Sequence, residues 1–349
     1  MRDRQALPAR AGPAPLAAVL LPLLLVLAGA GCRVEVGPPG EASEARAGTV
    51  HVYTSMYKEV IEAVEPVLAK RLEIASPGTR VEWFQSGSEK VAQRLDAELA
   101  AGGSPCDVLL TSDPAYYRRL EREGRLVPYV SPAALRQPRS LVDPDGSFAT
   151  ARLSTMVIGI SPRHAGERPR SFADLGRPDL RVTLGDPLSS GTTLTAVAAL
   201  STRLGWDWFR VLKAKGTVAA GGGGAVMQRL ESGEADAGIV LLENILLARA
   251  RGSKVAAVIP SDGAVAIPGP IALLQRARRS EAARAVYDAI LSEEVQRAIV
   301  ALGMMHSPDP AIPPPDGAPP LEALLAGSEE PSAETSEKVK ETFNAIFFR

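Results

Sequence analysis

The sequence predicts an α/β protein built from two sheet-and-helix units. The chain has 349 residues, enough for about two domains of the usual ~100–200 residues each. Short apolar runs alternate with stretches of helical periodicity, as in sheets covered by helices. Loops rich in hydroxyls and glycine stand directly before several of those helical stretches. Hydrophobic residues make up 46% of the chain, which excludes a disordered protein. Lys plus Arg number 39 and Asp plus Glu 40, so the basic excess of a nucleic-acid binder is missing. Two cysteines cannot form a disulfide scaffold.

The elements follow in order. Arg2, Arg4 and Arg10, the apolar run Leu16–Leu27 and the small residues Ala28–Gly31 before Cys32 read as an export signal. The apolar run is shorter than the roughly 20 residues of a membrane span. The segment before Cys32 resembles a bacterial lipobox, in which the cysteine is lipidated after cleavage; an ordinary signal peptide cut nearby is the alternative. Loss of residues 1–31 removes three Arg and one Asp and takes the net charge from -1 to -3. Residues 32–48 read as lipidated cysteine and tether. Cys106, at the head of an apolar stretch, reads as a buried, inert thiol.

Val50–Thr54 is a strand, followed by a helix bearing Val60, Ile61, Val64 and Leu68, which Pro66 is expected to interrupt and kink. Val81–Phe84 is a strand, and Val91, Leu95 and Leu99 mark one face of the next helix. Val108–Leu110 is a strand running into Thr111–Pro114, and Thr155–Ile160 a strand able to cross into a second unit. There follow a strand near Arg181–Leu184, helices at Thr192–Leu204 and near Val226–Leu230, and the apolar strand Ala237–Leu242. Val265–Leu274 is strand-like and returns the chain to the first unit. A Pro-rich loop at Ser307–Pro320 precedes a closing helix with Val339, Phe343 and Ile346.

Enzyme signatures are absent: no G-x-S-x-G, no H-E-x-x-H, no Walker sequence and no His/Cys metal spacing. Gly221–Gly224 lacks the Lys-Ser/Thr of a P-loop, and His51, His164 and His306 lie far apart in sequence. What recurs is the loop before a helix: Thr54-Ser55 with Tyr57 after it, Ser86-Gly87-Ser88, Ser189-Ser190-Gly191-Thr192, and the glycine run. Ser112 sits in the comparable loop after Val108–Leu110. Such turns present free N–H groups and a positive dipole end at the crevice where α/β sheets bind ligands. Simple helix capping explains some of them equally well. Ser86 with Glu89 fits a capping box, whereas Ser189–Thr192 holds more hydroxyls than one cap needs. The glycine run is either a tight turn or a close approach to ligand. Glu243 and Asn244, amid apolar residues, are expected to face a cleft; a local cap by Asn244 is the alternative. Tyr57 stacks on a ligand, hydrogen-bonds one, or simply packs.

The order Val52-Tyr53-Thr54-Ser55, Pro105-Cys106-Asp107-Val108, Gly185–Thr192 and Gly233-Glu234-Ala235-Asp236-Ala237 resembles ABC-transporter substrate-binding proteins. The branch it is similar to includes ferric-iron, thiamine, hexose-phosphate and phosphonate binders. The resemblance covers nearly all of residues 49–349. It implies a two-lobed, Venus-flytrap (type II) periplasmic-binding-protein fold, each lobe a central mixed sheet flanked by helices. Lobe 1 would span 49–152, completed by about 264–303, and lobe 2 would span 153–263, completed by about 304–349. It also implies no catalysis and no cofactor, but a monomeric periplasmic carrier that delivers a small molecule to an inner-membrane permease and its ATPase.

Ferric-iron members hold the metal mainly with tyrosinates, including an adjacent pair where this chain has Glu243-Asn244. Residues 153–262 contain no tyrosine, and Tyr57 with Glu243 is a poor ferric set; no metal site is expected. A small phosphorylated or phosphonate anion held by Ser189, Ser190, Thr192 and helix N-termini, without a dedicated arginine, is the favoured ligand. A cation such as thiamine or a polyamine is the counter-reading, with Glu243 and Asp113 for charge and Tyr57 or Trp83 for stacking. An exported serine hydrolase is the alternative from another class.

Overall fold

The structure is a computed structural model and describes residues 48–326 and 333–349. The export signal, Cys32 and most of the tether lie outside the described residues. The first stretch runs β1 (Thr49–Thr54), α1 (Lys58–Ala75), β2 (Arg80–Gln85), α2 (Ser88–Ala100), β3 (Val108–Leu110), α3 (Pro114–Arg122), β4 (Leu126–Val127) and β5 (Ala149–Ile160). The second runs β6 (Val182–Leu184), α4 (Gly191–Ala214), β7 (Val218–Ala219), α5 (Gly223–Ser232), β8 (Ala237–Leu241), α6 (Leu242–Ala250) and β9 (Ala256–Val258). The last comprises β10 (Val265–Leu274), α7 (Glu281–Leu291), α8 (Glu293–Gly303), α9 (Leu321–Leu325) and α10 (Ala333–Phe347).

The strands lie in the order β2-β1-β3-β10-β5-β8-β6-β7, with β4 beside β10 and β9 beside β5. Within each half the chain order gives parallel pairs, β1 with β2 and β3, and β6 with β7 and β8. The two halves are joined edge to edge by long antiparallel strands. The first half of β5 pairs with β10 and its second half with β8, whereas the end of β10 pairs with β3 and β4. Each half is thus a mixed sheet, and the two sheets are continuous.

Both faces of each half carry a core, because the strands alternate apolar residues to either side. In the first half Leu68 of α1, Ile290 of α7 and Val295 of α8 cover one face, and Val91 of α2 and Tyr117 and Leu120 of α3 the other. In the second half Phe209 of α4 and Phe343 of α10 cover one face, and Val226, Leu230, Ile245 and Leu324 from α5, α6 and α9 the other. Cys106 is fully buried and unpaired, and burial pushes its thiol well above the ordinary range, as an inert residue requires.

One expectation is corrected. Pro66 does not interrupt α1, which runs through it as one helix of 18 residues. The packing of Val60, Ile61, Val64, Leu68 and Leu72 on one side holds the helix together across that point. The helix expected to end at Leu204 does break there, at Gly205, where φ is 77°, and a further helical stretch absent from the sequence reading runs on to Ala214.

At the junction of the two halves β10 carries Pro268-Gly269-Pro270, with a register shift between Gly269 and Pro270. Proline donates no ladder hydrogen bond, so it is confined to edges and bulges. Gly269 is required for a second reason: a Cβ there would lie 2.8 Å from Cγ of Arg152 on β5. Among the described residues no helix is long and apolar enough to cross a membrane.

Candidate ligand-binding site

Five helices begin around one cavity of about 210 Å³ between the two halves. Its lining includes Ser55, Met56 and Tyr57 before α1, Gly87 and Ser88 at α2, and Ser189 to Thr192 at α4. Gly222 to Gly224 at α5 and Leu241 and Glu243 at α6 complete the ring of termini. Helices α1, α2, α5 and α6 have no side-chain cap at their N-termini. By contrast α3, which starts just after Ser112 of the lining, and α7 and α8, which start elsewhere, are capped by Asp113, Ser280 and Ser292. First-turn N–H groups without a cap are open to a ligand, and the dipole favours an anion.

Ten of the thirteen residues read from sequence are brought together here: Ser55, Tyr57, Gly87, Ser88, Ser112, Ser189, Ser190, Gly191, Thr192 and Glu243. Three are not. Thr54 is fully buried and its Oγ1 accepts from the Met56 N–H at 3.0 Å, fixing the loop rather than facing the cavity. Ser86 lies one residue too early. The N-cap of α2 is Gly87, no side-chain cap forms, and Glu89 instead pairs with Lys340 at 3.0 Å, so the expected capping box is absent. Asn244 stands behind the wall, hydrogen-bonded to Tyr57 and packed against Gly223, and caps nothing. Glu243 does not end a strand but occupies the first turn of α6.

Ser190 caps α4 and also lines the cavity. Its Oγ accepts from the Thr193 N–H at 3.3 Å as the cap of α4, and it also lines the cavity, 3.1 Å from the Thr192 hydroxyl. The sequence reading provided for no arginine at this cavity, and the structure places one there. Arg152, on β5, lines the cavity and is 3% exposed. It donates to Ser112 Oγ at 2.8 Å, Ser154 Oγ at 3.1 Å and Ser55 Oγ at 3.4 Å, while its Nε has no partner. Burial draws its pKa downward, and the charge of Glu243 opposes that. Its signal in the sequence was one charged residue inside the buried strand Ala149–Ile160, with Ser154 two positions on and therefore on the same face. Met56, Ser154, Leu241 and Met305 were missed as well.

Glu243 is 1% exposed and burial raises its carboxyl above the usual range. Its Oε2 accepts from the Thr155 N–H at 3.4 Å, and Oε1 has no partner. Tyr57 is 36% exposed, but its hydroxyl end is enclosed; burial first, then the charge of Glu243, pushes it up to about 12. The other residues of the cation reading lie elsewhere: Asp113 caps α3, and Trp83 packs beside the core under α1. None of the three histidines lines the cavity.

The halves touch across the site. A Cβ on Gly191 would lie 2.7 Å from Cβ of Ser88, and one on Gly87 would lie 3.5 Å from the Ser189 carbonyl oxygen. The cavity is therefore enclosed by direct contact between the starts of α2 and α4.

Residues 50–305 match the family described as bacterial extracellular solute-binding protein. Among solved structures the chain is similar to the periplasmic binding protein AfuA from Actinobacillus pleuropneumoniae, with exogenous fructose-6-phosphate bound. The identity is 18% and the TM-score 0.74, over 86% of this chain and 99% of that one. Iron-bound HitA from Pseudomonas aeruginosa is 20% identical with a TM-score of 0.72, over 85% of this chain and 99% of its own. The substrate-binding protein of an ABC transporter from Agrobacterium tumefaciens is 16% identical with a TM-score of 0.74, over 88% and 96%. These likenesses are of fold, that of a periplasmic binding protein with mixed sheets flanked by helices. Among curated protein sequences none matches the chain.

Proposed function

The chain belongs to the family of bacterial extracellular solute-binding proteins, and from that premise we propose that it captures a small phosphorylated or phosphonate anion between two lobes. The observation that carries this reading is Arg152, a buried cation with one nitrogen unpartnered and hydroxyls on its other bonds. Ser55, Ser88, Ser112, Ser190 and Thr192 add more hydroxyls than a planar carboxylate needs, and the uncapped termini of α1, α2 and α5 add N–H donors. A tetrahedral oxyanion with three terminal oxygens uses such a set. The volume of about 210 Å³ is below the ~300–1,000 Å³ of drug-sized pockets, which favours a compact solute.

Iron as cargo is less well supported. Tyr57 is the single tyrosine in the lining, and among the described residues no group of three His, Cys, Asp or Glu suits a metal. The lobes are read as 49–152 with 264–303, and 153–263 with 304–349, closing on the solute by rotation at β5 and β10. Delivery from the periplasm to a permease, and anchoring by lipid at Cys32, complete the reading. Cys32→Ser should release the protein from membranes, and unchanged fractionation would refute the anchor.

The ligand is tested by thermal shift with inorganic phosphate, propylphosphonate, hexose phosphates, thiamine, spermidine and ferric citrate. Phosphoryl or phosphonate compounds should raise Tm. A larger rise with the ferric salt or the cations would sink the anion reading.

A further inference from the structure

Beyond one wall of the cavity lies a second and larger space, a groove of about 730 Å³. Val60 of α1 and Leu302 of α8 line it from the first half, and Met227 of α5 and Leu247 of α6 from the second. Among the described residues Tyr57 is the one side chain common to both linings; Gly224, the other shared residue, contributes backbone. The Tyr57 ring is held at both ends. Its backbone is the extended N-cap of α1, and its hydroxyl is hydrogen-bonded to Asn244 of α6, in the opposite half. Asn244 is pressed in turn against Gly223, where a Cβ would collide with its amide nitrogen and lie 3.6 Å from the Tyr57 hydroxyl oxygen. A residue without a side chain at that point is what lets the Tyr57–Asn244 pair close the gap.

We propose that Tyr57 is a specificity-determining residue: its ring, braced by Asn244, walls the anion cavity off from the groove and sets the greatest length of solute that the cavity takes. This rests on the anion reading above and adds its size limit. The inner cavity is smaller than the ~300–1,000 Å³ of drug-sized pockets, whereas the groove behind the ring falls within that range. A solute whose oxyanion lies at the uncapped helix termini extends past the wall only by displacing the ring and breaking its bond to Asn244, which leaves enclosed polar groups without partners. With the ring removed, the same chain runs on over Val60, Met227, Leu247 and Leu302 and gains from each methylene taken out of water.

The test is calorimetric titration of the full chain with propylphosphonate and octylphosphonate, on the unaltered protein and on Tyr57→Ala. The readout is the ratio of the octyl to the propyl Kd, which a lost contact common to both probes, or a general loss of stability, leaves unmoved. In the unaltered protein octylphosphonate should bind on the order of tenfold more weakly than propylphosphonate, the cost of one broken hydrogen bond. In Tyr57→Ala the order should invert, by about fourfold for each methylene that reaches the groove, with the two probes competing for the same site. Equal binding of the two probes to the unaltered protein refutes the wall, even where the variant folds poorly. An unchanged ratio in Tyr57→Ala refutes it as well, and in both cases the anion reading survives. Failure of propylphosphonate to bind the unaltered protein overturns both.

Discussion

Replacing Arg152 by methionine should leave the stability of the empty protein nearly unchanged and weaken the loaded one. In the empty protein Arg152 is a buried cation with no carboxylate in ion-pair range, held only by three serine hydroxyls. Exchange of buried ions for apolar residues of similar volume is neutral or stabilising by ~1–4 kcal/mol. The lost bonds to the serines, ~0.5–1.5 kcal/mol each, offset this. Three such bonds sum to ~1.5–4.5 kcal/mol, so the net expectation is close to zero, with Tm changed by no more than about 2 °C in either direction. In the loaded protein the same change removes the charged bonds to the oxyanion, about 3–4 kcal/mol, or a hundred- to a thousandfold in Kd. Scanning fluorimetry with and without the best-binding phosphonate reads both effects, and calorimetry gives the Kd. A Tm several degrees lower in the empty variant, with Kd unchanged, would show that Arg152 is structural and refute the reasoning.

Three further outcomes follow from contacts at the site and beside it. Gly191→Ala puts a Cβ 2.7 Å from Cβ of Ser88, so the halves cannot meet as they do; the phosphonate should bind more weakly while the empty protein's Tm stays within about 1 °C, and unchanged affinity would dismiss the contact. Burial, then the charge of Glu89, raises Asp113 from 3.8 to about 6. Its folded pKa lies above the unfolded value, so stability is fullest below about pH 4 and falls as pH rises through 6. Asp113→Asn, which preserves the cap on α3, should flatten that decline, by at most about 3 kcal/mol at pH 7.5; parallel pH profiles of Tm would refute it. Lys340 of α10 pairs with Glu89 of α2 at 3.0 Å, with the two side chains 20% and 12% exposed. A double-mutant cycle with Lys340→Met and Glu89→Gln should give a coupling of about 1 kcal/mol, and zero coupling would reduce the pair to a surface contact.

The site was legible wherever a run of hydroxyls or glycines preceded an amphipathic helix. Ser55, Ser88, Ser190 and Thr192 announce themselves because a helix start leaves N–H groups that such loops serve. Ser86 and Asn244 misled for the same reason. Capping chemistry identifies the neighbourhood, and a shift of one residue, to Gly87 or Glu243, decides which side chain faces the cavity. Arg152 was hidden because it lies in no loop. It is a lone charge in a strand whose pairing partners, Gly269 and its neighbours, are over a hundred residues away. Long-range register of this kind sets the interior of the cleft, and local pattern does not encode it. The long strands themselves were legible at Val265–Leu274, where the apolar run is continuous, and only in their second half at Thr155–Ile160.

Arg152 and the bulge at Gly269–Pro270 face each other in the two strands that both halves share. If the halves turn against each other as proposed, they would pivot there, and a contact at the pivot would have no lever arm. On that proposal, opening would carry Ser190, Thr192 and Gly223 away from the solute while leaving its oxyanion beside Arg152. Departure would then be a sequence, with the polar contacts at the rim lost first and the ionic one last. Dissolved salt screens only the second step, so ionic strength should hasten escape from an opened cleft without loosening a shut one.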